Sequence, residues 1–92
     1  MTVEQPIMRV IPGCSSGSGM TVIHYTLAYT EHISIKVRDA LGRTVAVLVD
    51  DIRPAGEHQA VWAADKDTPK GAYFFTLETR TGAETRSMLL LR

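Results

Sequence analysis

Cysteine is almost missing from this 92-residue chain, in which Cys14 stands alone. One thiol cannot close an intramolecular disulfide or build a cysteine metal cluster, so the fold must rest on its apolar core. An excess of charge of one sign is missing too. Ten Lys and Arg balance ten Asp and Glu, giving a net charge of zero. Nothing in that balance argues for a nucleic-acid partner or a solvating acidic tail, and little self-repulsion keeps copies apart. No apolar run approaches the roughly 18 residues of a membrane-spanning helix. Residues 1–6 include Glu4 and lack the basic-then-apolar order of a signal peptide. A cytosolic protein and a fragment of a larger one both fit this start, and the fragment is the preferred reading.

Helical patterning is absent as well. The best stretch, Thr44–Asp51, carries Val45, Val47 and Val49, whose branched Cβ atoms disfavour a helix. What is there is period-two alternation, the mark of strands with one wet face. After a loose lead-in over residues 1–5, Pro6–Ile11 reads as a first, edge strand, where proline is tolerated. The Gly/Ser-rich stretch Pro12–Gly19 reads as a loop. Met20–Ala28 places Ile23, Tyr25 and Leu27 on one face, with Thr21 at its rim and His24 and Thr26 opposite. Ile33–Asp39 turns Ile33, Ile35 and Val37 inward and Ser34, Lys36 and Arg38 outward. Ala40–Arg43 makes a turn in which Gly42 can take a positive φ, and Thr44–Val49 pairs back as a hairpin. Asp50–Gly56, with Pro54, reads as a loop. Further strands are expected over Glu57–Ala63, Gly71–Thr79 and Glu84–Leu91, with Ala64–Lys70 as a loop and Thr81-Gly82 at a hairpin tip. About seven short antiparallel strands with turn signals every 8–12 residues predict one all-β domain, an immunoglobulin-like β-sandwich.

Side chains able to do chemistry are few, and each has a plainer structural role. His24 and His32 are expected to face solvent. His58 shares a face with Trp62 and reads as a buried histidine hydrogen-bonded to backbone. Cys14 sits in a Ser/Gly loop with no base held beside it, as a nucleophile would require. Asp65 and Asp67, with Asp50 and Asp51 nearby, are candidate calcium ligands, but two carboxylates in one loop with Lys66 between them fall short of the six or more oxygens calcium takes, so turn chemistry explains them better. The glycines of Gly13–Gly19 are followed by neither a lysine nor a helix, so they form no phosphate loop. No metal, cofactor or catalytic residue is expected. Tyr25, Trp62, Phe75 and Leu77, with Tyr73, read as the inter-sheet core, with Trp62 at its centre.

The last strand departs from alternation. Met88-Leu89-Leu90-Leu91 is apolar throughout, so one face is core and the other an exposed apolar stripe. Together with Asp39-Ala40-Leu41-Gly42-Arg43, Val45, Leu48-Val49, Ala55-Gly56-Glu57-His58, Trp62, Gly71-Ala72-Tyr73-Phe74-Phe75-Thr76-Leu77 and Arg86-Ser87, this ending resembles the C-terminal sorting domains of the type IX secretion system. Those domains are similar to the immunoglobulin-like domain of the flagellar hook-cap protein. The resemblance covers about residues 10–92. Where the family often has Tyr-Pro-Asn-Pro, this chain reads Ile11-Pro12-Gly13-Cys14, and only eight residues separate Trp62 from Gly71. The short loop favours the sorting branch.

The resemblance implies a non-catalytic domain at the C-terminus of an exported cargo. It would pass through the periplasm to the cell surface or medium and be recognised by outer-membrane secretion and sortase proteins. It also implies recognition through Gly71 and Tyr73 and through Met88, Leu89, Leu90, Leu91 and Arg92, where the chain ends as family members do. The alternative is a structural or adhesive module of hook-cap type. In either case exposed strand edges allow a homodimer.

Overall fold

The computed structural model describes residues 7–12, 20–64, 67–80 and 82–90; within 7–12, only the side chains of Met8 and Arg9 are included. Seven strands form: β1 (Ile7–Pro12), β2 (Met20–Leu27), β3 (Glu31–Asp39), β4 (Thr44–Arg53), β5 (Gly56–Ala63), β6 (Gly71–Thr79) and β7 (Gly82–Leu90). They make two antiparallel sheets, one of order β1-β2-β5 and one of order β4-β3-β6-β7. The chain passes between sheets after β2, β4 and β5, while β3–β4 and β6–β7 return as hairpins. The fold is an all-β sandwich of seven antiparallel strands.

The alternation in sequence becomes the inside and outside of this sandwich. Ile23, Tyr25 and Leu27 of β2, Ile33, Ile35 and Val37 of β3, and Tyr73, Phe75 and Leu77 of β6 all point into one core with Trp62 and Met8. The sheets meet through aromatic rings. Trp62 of β5 lies 5.0 Å from the Tyr73 ring and stands edge-on to Phe75 at 5.6 Å. At the other end of the sandwich His58 stacks on Tyr25, with ring centroids 5.2 Å apart. Its Nε2 lies 2.7 Å from the Pro54 carbonyl, so that nitrogen carries the proton and donates it. His58 is half-buried rather than buried, because it sits at the end of its strand beside the Pro54 turn.

The turn after β3 forms around Asp39. Its Oδ1 accepts from the backbone N–H of Leu41 and Arg43 at 3.0 and 2.9 Å, and its Oδ2 from Arg43 Nε at 2.8 Å. Gly42 takes φ +86° there, a conformation other side chains rarely adopt.

Three further expectations need correction. Asp50–Arg53 is strand, not loop: Ser34 pairs with Asp50, Ile33 with Asp51, His32 with Ile52 and Glu31 with Arg53. The polar side chains there face water on an outer strand, which imitates loop composition. Thr21 is 1% exposed, not at a rim. Its hydroxyl donates to the Met88 sulfur across the sandwich at 3.1 Å, which makes burial tolerable. The first strand runs to Pro12 rather than ending before it, as an edge position allows. Cys14, Asp65 and Thr81 lie outside the described residues.

Truncating the inter-sheet tryptophan tests this account. Trp62→Ala should cost about 3–5 kcal/mol, most of the stability of a domain this small. Urea unfolding followed by circular dichroism should show a shortened or missing native baseline. Trp62→Phe should lose clearly less.

Candidate functional site

One end of the four-stranded sheet gathers most of the residues expected to matter. β6 begins there and β7 ends there, so Gly71 pairs with Leu90, Ala72 with Leu89 and Tyr73 with Met88. Gly71 has φ +145°, where a side chain would be strained although the space beside it is open. The turn after β3 and the loop before β6 flank this end. Between them lies an open groove of about 630 Å³, lined by Leu41, Arg43, Val45, Pro69, Lys70 and Tyr73 among others. Leu41 and Val45 are exposed at its rim.

The structure divides the expected recognition residues by direction. Tyr73 is buried, and its hydroxyl donates to the Pro69 carbonyl at 2.5 Å. A tyrosine near the start of the sixth strand, bonded to backbone a few residues upstream, is the corner of immunoglobulin-like sandwiches. Antibody domains carry a cysteine two residues beyond that tyrosine; here Phe75 stands there and meets Trp62 instead. Met88 and Leu90 also point inward, at 8% and 6% exposure. Leu89, at 60%, is the one large apolar side chain that β7 presents outward among the described residues. The rest of that face is Ala83, Thr85 and Ser87, so the expected stripe narrows to a single leucine among the described residues. Leu91 and Arg92 lie outside them. The expected recognition residues Tyr73, Met88 and Leu90 are therefore core residues as well, and the folded domain shows little of their surface to a partner.

Charged groups at both ends of this sheet are engaged in local pairs. Arg43 bonds Asp39, Arg53 bonds Asp51 at 3.2 Å, and His32 meets Asp50 at 2.8 Å. The Arg43 backbone N–H, together with its guanidinium and the Leu41 N–H, holds the Asp39 carboxyl below its ordinary value. The Ile52 N–H and then Arg53 do the same for Asp51. These aspartates each turn to a different partner. Among the described residues no three ligating side chains stand together.

Sequence reasoning missed Glu84 and Arg86. Both have core-facing register on β7, yet they reach across to β1. Met8 N–H donates to Glu84 Oε2 at 3.4 Å, and Arg86 Nε donates to Met8 O at 3.2 Å. Arg86 and Glu84 also pair with each other at 2.5 Å. The two side chains thus do for Met8 what a neighbouring strand would do. The available signal was a pair of charges at inward positions of an otherwise apolar strand face. No family model and no curated protein matches the chain.

Two measurements test the local chemistry. Tyr73→Phe should destabilise by about 0.5–1.5 kcal/mol, the worth of one hydrogen bond, without loss of fold. Asp39→Asn should lower the melting temperature at neutral pH. Because the folded carboxyl is depressed, its contribution is present above the ordinary value of 3.8 and fades as pH falls through the folded value. The gap between wild type and Asp39→Asn should therefore close in acid and stay open near neutrality.

Proposed function

We propose that the chain is a non-catalytic sorting domain that directs an exported cargo across the outer membrane by docking to type IX secretion components. The observation that carries the proposal is Leu89. It is exposed and apolar at the end of β7, opposite Ala72 at the glycine-led start of β6. Its inward neighbours Met88 and Leu90 anchor that strand end in the core, so the leucine is held in a fixed place. In this proposal the exposed side chain on an outer strand serves as the docking element, as edge strands do in strand-pairing recognition. The rest of the resemblance supports the same reading: the Gly71-Ala72-Tyr73 start and the Arg86–Leu90 stretch lie on neighbouring strands. The proposed route is through the periplasm to the surface or medium, with the cargo domain upstream and secretion and sortase proteins as partners.

A second reading is a structural or adhesive immunoglobulin-like module. It draws on apolar side chains exposed away from β7, such as Met20, Ile52 and Val61. Such a module would bind another subunit and would not need the end of β7.

A reporter fused to residues 1–92, in a host carrying the type IX system, separates the two. The reporter should reach the surface, and deleting Ser87–Arg92 should abolish this. Leu89→Lys should cut surface delivery by about tenfold or more while changing stability by no more than about 0.5 kcal/mol, as expected of a surface change. Thr85→Lys, on the same face, should export normally. A reporter retained inside, or one exported equally well with Leu89→Lys, removes the sorting reading.

A further inference from the structure

A two-sheet sandwich has four outer strands, and each offers a row of backbone groups to any chain that can pair with it. Three of the four are guarded here. β1 carries Pro12, and the Met8 N–H and C=O are taken by Glu84 and Arg86. β7 carries those same two charges on its inward face. β4 is broken by two register shifts, which leave Leu48 and Val45 as extra residues facing no partner in β3. Inward charges, proline and bulges are the devices by which sheets discourage edge pairing.

β5 has none of them. Its register with β2 runs unbroken from Gly56 to Ala63, with no proline, lysine or bulge, and nothing pairs with its far side among the described residues. A second feature lies on the same strand. Val61 and Ala63 are exposed on the outer face of the sheet, opposite Val22 and Met20 of β2. Val61 is 46% and Met20 44% exposed, so this is an apolar group beside an unguarded edge.

We infer that the free edge of β5 is a self-association site, at which two copies pair β5 to β5 antiparallel about a twofold axis and join two three-stranded sheets into one of six. The strand is suited to a copy of itself. With the axis at Ala60 residues 57–63 overlap, Gln59 faces Val61 and Glu57 faces Ala63. No like charges meet, which is what cross-strand pairing requires. The two Val61 side chains come to lie diagonally across the axis, within reach of each other. The net charge of zero adds no long-range repulsion between copies. A single contact surface used by both partners closes the assembly at two, because the twofold axis consumes both edges. This inference does not depend on the export proposal, which concerns the opposite sheet.

Sedimentation velocity from about 1 µM to about 1 mM, the span of moderate to weak association, tests it. Wild type should shift from monomer to dimer within that range and go no further. Val61→Lys places a charge on the exposed outer face without touching the core, and should raise the dissociation constant by about tenfold or more. Val47→Lys makes the same change on β4, where Val47 is 53% exposed, and should dimerise like wild type. Amide hydrogen exchange should slow with concentration over residues 57–63 and not over 44–53. Thermal melts of both variants establish that they fold. A wild type that stays monomeric throughout, a Val61→Lys protein that dimerises with unchanged affinity, equal losses in both variants, or added protection on β4 rather than β5 would each overturn the inference.

Discussion

The sandwich depends on a junction of four side chains from four strands. Thr21 of β2 and Trp62 of β5 are paired across one sheet, and Tyr73 of β6 and Met88 of β7 across the other. Trp62 meets the Tyr73 ring, and the Thr21 hydroxyl donates to the Met88 sulfur. Both hydroxyls in this cluster have a partner: the Thr21 hydroxyl has the sulfur, and the Tyr73 hydroxyl has the Pro69 carbonyl. Satisfying those groups internally lets two polar side chains lie in an apolar core without the cost of stripping them of water. No disulfide performs this joining; ring packing and the Thr21–Met88 hydrogen bond do.

The same junction determines what the end of β7 shows to solvent. Met88 is committed to the inside by Thr21 and Tyr73, and a strand alternates, so Leu89 must face out and Leu90 in. The exposed leucine follows from the placement of its neighbour. The start of β6 is bound by the same logic. Tyr73 inward places Gly71 at the mouth of the groove, in a conformation open to glycine. Of Met88, Leu89 and Leu90, two are thus structural and one faces outward.

The edges tell a complementary story. Glu84 and Arg86 occupy inward positions where apolar residues would extend the core, and instead close the seam between the sheets on the β1 side. Their mutual pairing is partly exposed and contributes little by itself. Its use is geometric: a donor and an acceptor are held where a backbone would present them. β4 is guarded differently, through added residues that break its register. β5 is left regular, and Val61 and Ala63 make one half of its outer face apolar.

Much of the fold was legible because strand alternation is a property of residues two apart. Ile33, Ile35 and Val37, or Tyr73, Phe75 and Leu77, declare their inward face without knowledge of anything distant, and Gly42 declares its turn. Where outer strands carry polar residues this local signal fails, so Asp50–Asp51 reads as loop although it continues β4. It fails again wherever a partner is remote. Thr21 looks like a rim residue until Met88, 67 positions away, supplies its acceptor. Glu84 and Arg86 look misplaced until β1, 76 and 78 positions away, lies beside them. The sequence by itself determined the strands, their inward faces and the apolar character of the ending. Only the tertiary structure decided which strands are edges, which edge is left unguarded, and that Leu89 alone of Met88-Leu89-Leu90 faces water. Those properties belong to pairings across the chain, which no local pattern encodes.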